Sequence, residues 1–171
     1  HYLGAVNLAI YSFSQAIPEQ IKGGFKNLFT LALPKYAVLS EGEMRESMKK
    51  KFVSLTLMTA AGVLVYILSA PYIFQFFFPK YLEAVLYSQI YVLGLLTIPG
   101  IAFFANYFQL KKATNVMYKL NIMSQSATVV ITFILIYKYD LLGAVVANGV
   151  SWLVALLIHW YYFTQDEVEH A

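Results

Sequence analysis

The sequence predicts an all-α fold, a polytopic transmembrane helix bundle of about five spans. Three observations predict it. The 171 residues are 60% hydrophobic and 12% charged, with a mean hydropathy of +0.62, where a soluble domain is about a quarter charged. The apolar residues come in blocks of bilayer-spanning length. The basic residues sit in short clusters between those blocks, which marks membrane topology and argues against nucleic acid as a partner.

Five blocks follow one another at about 5–33, 52–78, 84–110, 118–137 and 141–163, all within one membrane domain, 1–171. Each is long enough for a hydrocarbon core of roughly 30 Å at about 1.5 Å per residue. Backbone groups in lipid must be satisfied within the segment, so the blocks are helices unless a barrel closes. Barrel strands alternate over about ten residues, and LLGAVVANGVSWLVALLIHWYYF does not alternate. Pro71 and Pro99-Gly100 predict breaks in the second and third helices. Gly143, Ala144, Ala147 and Asn148 form a small-residue face suited to close helix contact.

Lysine and arginine set the orientation. The first connection holds Lys35, Arg45, Lys49, Lys50 and Lys51, and the third holds Lys111, Lys112 and Lys119. The second has only Lys80 and the fourth only Lys138. The first and third connections are therefore expected in the cytoplasm, together with a tail at 164–171. Trp160, Tyr161 and Tyr162 suit an inner aromatic belt. The chain opens at His1 directly into apolar sequence, without a signal pattern, and reads as a piece of a longer polypeptide.

The first block is the unusual one. Ser12, Gln15, Glu19, Lys22 and Lys26 are spaced 3, 4, 3 and 4 apart and form one stripe on a helix, opposite Ile17, Ile21, Phe25 and Leu28. Pro18 and Gly23-Gly24 predict a kink or a loosened turn. With the membrane edge near Pro34, Lys26 lies about 12 Å deep and Lys22 about 18 Å, at about 1.5 Å per residue. A lysine stem reaches about 6 Å. Snorkelling therefore serves Lys26 better than Lys22, and a stranded charge costs at least about 2.5–3.5 kcal/mol. A watery cavity or pairing of Glu19 with Lys22 at i, i+3 resolves that cost. Two blander readings stand beside it: snorkelling stems, or a helix that ends at Gly23-Gly24 and continues as a surface-lying amphipathic segment.

No other constellation carries chemistry. There is no cysteine, hence no disulfide or thiolate site. His1, His159 and His170 show no ligand spacing. No paired-carboxylate, Ser-His-Asp or phosphate-loop motif occurs, so neither an enzyme nor a cofactor is expected.

The order of features resembles the C-terminal half of a polysaccharide or O-antigen flippase of the multidrug/oligosaccharidyl-lipid/polysaccharide exporter superfamily. YLGAVNLAIYSFSQAI is similar to that half's second helix, and LALPKYA to the cytoplasmic proline after it. FFFPKYLEAV resembles its external turn, YFQLKKATNVMYK its next inner loop, and YDLLGAVVANGVSWLV the start of its last helix. The similarity runs from Tyr2 to about Phe163. It implies most of one six-helix lobe of a two-lobe transporter, multi-pass in a bacterial or archaeal cytoplasmic membrane. It further implies alternating access for a lipid-linked oligosaccharide, with a missing N-terminal lobe and membrane lipids as partners. Lys22 and Lys26 would attract the pyrophosphate of the carrier, and Ser12 and Gln15 would offer hydrogen bonds to sugar. Glu19 departs from a purely cationic cavity. The alternatives are a drug or small-solute exporter of the same superfamily, or a structural membrane subunit of a glycan-assembly complex. A membrane-embedded enzyme ranks behind both.

Overall fold

The computed structural model describes residues 4–30 and 41–169. They are almost wholly helical, with no strand among them. Helix α1 spans Gly4–Thr30 and α2 spans Glu41–Phe77. A 3₁₀ turn, Pro79–Tyr81, leads into α3, Ala84–Leu93. A second 3₁₀ stretch, Gly94–Thr97, joins α3 to α4, Ile98–Leu110. Helix α5, Thr114–Glu169, is interrupted at Asp140. The predicted first block continues into residues 31–33, which lie outside the described residues.

Among the described residues, three helices are long and apolar enough to cross a membrane: Glu46–Phe77, Ala84–Leu110 and Thr114–Asp166. Their outward faces are largely apolar. Leu57, Leu64, Leu68 and Phe76 on α2, and Val129, Phe133 and Tyr137 on α5, are all exposed. Such a surface suits lipid better than water, and the helices fit a membrane protein.

Asp140 adopts φ 47, ψ −124, outside the helical region. The chain folds back there: a Cβ on Gly143 would stand 1.9 Å from the carbonyl oxygen of Leu135, whereas residues eight apart on a straight helix are separated by about 12 Å. Farther along the two arms, the Tyr162 hydroxyl donates to Met123 Sδ at 3.4 Å. Helix α5 is thus a hairpin of two antiparallel arms, meeting at a residue that only glycine adopts without strain.

The core clusters set the chain direction. One end of the bundle packs Met48, Tyr107, Phe108 and Leu120, with Tyr162 and Phe163 against them. The middle packs Val63, Tyr66, Ala70, Val92 and Leu95, with Ile17 and Ile21 against them. The other end packs Ile10, Phe74, Ala84 and Leu141. Helix α1, the α3–α4 rod and the second arm of α5 therefore run one way; α2 and the first arm of α5 run the other.

The prolines act differently from one another. Pro71 lies inside an unbroken α2; exposed lipid-facing helices tolerate proline when neighbours absorb the lost bond. The expected break there does not occur. Pro99 does coincide with one: it occupies the first turn of α4, directly after the 3₁₀ stretch, where its missing N–H is not needed. Helix α4 ends in a Schellman motif. Ala113 N–H donates to Phe108 O at 3.0 Å and Lys112 N–H to Gln109 O at 3.1 Å, with Lys112 at φ 55.

Candidate functional site

Helix α1 continues through Pro18 and through Gly23-Gly24 to Thr30. A helix ending at the glycine pair is therefore not what forms, because Phe25 beyond it is anchored: its ring lies 3.3 Å from where a Cβ on Gly62 would stand. Ile17 and Ile21, opposite the polar stripe, pack into the middle core.

The stripe lies along the border between the buried and open sides of α1. Ser12 is exposed, and its hydroxyl donates to Leu8 O at 2.9 Å within the same helix. Gln15 is half-buried, and its Nε2 is enclosed without a hydrogen-bond partner among the described residues. Glu19 and Lys22 form an ion pair, Nζ to Oε1 at 2.5 Å, with side chains 37% and 28% exposed. Lys26 belongs to α1, but its side chain lies outside the described residues.

Partners from two other elements close around the ion pair. The Tyr91 hydroxyl of α3 donates to Glu19 Oε1, the oxygen that also receives Lys22. Lys22 Nζ sits 4.9 Å from the ring centroid of Trp152, on the second arm of α5, a cation–π arrangement. Tyr91 and Trp152 meet edge to face at 5.4 Å. Farther toward the start of α1, Asn148 Nδ2 donates to the Tyr11 hydroxyl at 3.2 Å and to Ala144 O at 3.1 Å. Ser151 Oγ is buried without a partner among the described residues. A polar seam therefore runs along the junction of α1, α3 and α5.

Glycines allow these helices to approach. A Cβ on Gly94 would meet the Trp152 ring at 2.7 Å and the Gly149 Cα at 3.0 Å, so the side chain is absent where the indole rests. Ala144 and Ala147 are buried on the same arm.

The first arm of α5 exposes polar Asn121, Gln125 and Ser126. On α1, Val6 and Leu8 are exposed near the start, but from Ser12 to Asn27 the described exposed residues are Ser12, Ala16, Gln20, Gly24 and Asn27, all polar or small. Lipid is a poor neighbour for that face. Gln20, Asn27, Tyr91 and Trp152 were not singled out by the sequence pattern. Gln20 and Asn27 were legible as polar residues within an apolar block, whereas the other two become visible only once the helices pack.

Chemically, the cluster is a charge-neutral pair with one lysine lying against an aromatic ring. It can hold or exchange an anion at Lys22 if the anion competes with Glu19. It contains no nucleophile–base pair. Among the described residues no group of three or more metal-ligating side chains occurs; His159 donates Nδ1–H to Ala155 O at 2.7 Å within its own helix, and His1 and His170 lie outside the described residues. Asn106 is half-buried and Gln109 exposed near the end of α4. At that same end, Asp166 Oδ2 accepts from Tyr107 at 2.8 Å and from Lys111 Nζ at 2.7 Å. Burial would lower the Lys111 pKa, but its bonds with Asp166 and Tyr107 prevail and raise it.

No family model, curated protein or solved structure matches the chain.

Proposed function

We propose that this chain forms most of one lobe of a membrane flippase for lipid-linked oligosaccharide, its helices crossing the membrane five times: α1, α2, the α3–α4 rod and the two arms of α5. One observation carries the reading. From Ser12 to Asn27 the described exposed residues of α1 are polar or small, whereas α2 from Val53 to Phe77 exposes mainly large apolar side chains, and a polar membrane face suits a watery cavity against a second lobe. Lys22 lies at the edge of that face with part of its side chain accessible. An arriving phosphate would compete with Glu19 for the ammonium, which couples headgroup binding to opening of the ion pair. The carrier's tail would stay in lipid, and no bond need be made or broken.

The pairing of Lys22 with Glu19, Tyr91 and Trp152 favours a second reading, a structural subunit in which the cluster holds three helices together. The two readings separate in the full-length protein. Surface glycan, normalised to protein in the membrane, is measured in a cell lacking its own flippase. The transport reading expects Lys22→Gln/Lys26→Gln to abolish most export at normal protein levels. Normal export from that double variant returns these lysines to architecture.

A further inference from the structure

A pocket of about 490 Å³ opens at the end of the bundle where α1 and α3 begin and α5 turns. It shares no residue with the Glu19–Lys22 cluster. Its polar lining comprises Asn7, Glu83, Tyr87 and Gln89, against a wall that includes Ile10 and Leu141. Gln89 Nε2 donates to Ile67 O at 2.9 Å. That bond fixes the amide plane and leaves Oε1 as an acceptor. Glu83 adds an accept-only carboxylate, and Asn7 contributes both a donor and an acceptor.

A ligand for this lining needs several donors, an apolar side and some bulk. The volume falls in the range of small-molecule sites, roughly 300–1,000 Å³, far larger than a bare cation. A single ammonium would use one carboxylate and leave the carboxamides idle. A pyranose ring supplies adjacent hydroxyls for Glu83, Asn7 and Gln89, and a C–H face for the aliphatic wall. We infer that this pocket binds one ring of a neutral sugar. That the sugar belongs to a transported glycan rests on the proposed function; binding itself does not.

The test uses the full-length protein in lipid nanodiscs, with methyl glucoside, methyl galactoside and methyl mannoside as probes and tetramethylammonium as the cationic control. Saturation-transfer NMR reads which probe binds. At least one glycoside is expected to receive saturation. Glu83→Gln, a substitution at an exposed position, should weaken it about tenfold or more, the loss of a charge-assisted hydrogen bond. Leu86→Trp, also at an exposed lining residue, should block the pocket by bulk with the charge intact. The inference is overturned by absence of binding by all three glycosides, by unchanged binding in both variants, or by preference for tetramethylammonium. Headgroup flipping by the full-length protein is scored separately. Flipping with no glycoside binding removes the pocket and spares the transport reading; glycoside binding with no flipping does the reverse.

Discussion

Gly143→Ala tests whether α5 is a hairpin. The new methyl would lie 1.9 Å from the Leu135 carbonyl oxygen and 2.5 Å from its carbon, where real Cβ atoms do not come within 3.0 Å, so the arms must separate by at least about 1.1 Å. The obstacle is backbone, with no flexible tip to swing aside. We therefore expect the upper part of the usual overpacking cost of about 1–3 kcal/mol. At about 2–4 °C per kcal/mol for a chain of this size, that is a fall of roughly 6–12 °C in Tm at the upper limit. The chain has no cysteine, so a second readout is simple. Cysteines replacing Met123 and Tyr162, whose side chains touch across the hairpin, should be joined by a short bifunctional thiol reagent. Adding Gly143→Ala should slow that joining. Unchanged Tm and unchanged crosslinking would mean that the close approach of 135 and 143 is not what holds the arms together.

Three further outcomes follow from the packing. Cysteines at Ser47 and Thr114 should be protected from an impermeant thiol reagent in intact cells and one at Tyr81 labelled, because the lysine asymmetry and the opposite core clusters separate these ends; the reverse pattern would invert the topology. Gly94→Ala should cost about 1–3 kcal/mol and alter indole fluorescence by displacing Trp152 from Lys22 and Tyr91; an unchanged spectrum would show that the indole does not rest on Gly94. Asp166→Asn should cost about 1–2 kcal/mol by weakening the bonds from Tyr107 and Lys111. Because the Lys111 pKa is raised above 10.5, its share of that stability is complete below this value and is lost as pH rises through the folded value. The difference between wild type and variant should accordingly stay flat from about pH 7 to 9, and a fall within that window would remove Lys111 from the clamp.

Hydropathy made the helical class legible, because the apolar blocks suit lipid, where backbone bonding leaves few options. The block boundaries also left residues 138–140 as a gap between two apolar runs, and the fold-back at Asp140 falls there. The start of α2 was less legible. Its first turns, from Glu41, are charged and lie outside the apolar block that begins at Phe52, yet helix formation there needs only good local formers and i, i+4 pairs such as Glu46–Lys50 at 2.8 Å. The same blindness applies to the tail: Thr164–Glu169 is helical although it is polar. In the candidate site, the spacing of Glu19 and Lys22 foretold their contact because the interaction is local. Tyr91 and Trp152 approach from 72 and 130 positions away, and no periodicity in one block reports on another. Ser12 shows the converse: its place on the stripe is legible, but its hydroxyl is taken up by Leu8 O of its own helix.

The transport account turns most directly on Glu19 and Lys22 measured against each other. The full-length protein is reconstituted in liposomes with a fluorescent lipid-linked glycan pyrophosphate, and movement of the headgroup is followed by quenching from outside. On this account Lys22→Gln should reduce the flipping rate at least tenfold while the protein remains folded, since the cation proposed to meet the pyrophosphate would be gone. Glu19→Gln should retain headgroup binding or tighten it, since it frees Lys22 from its competitor. Equal flipping by wild type and Lys22→Gln, at equal folded protein, would contradict the account.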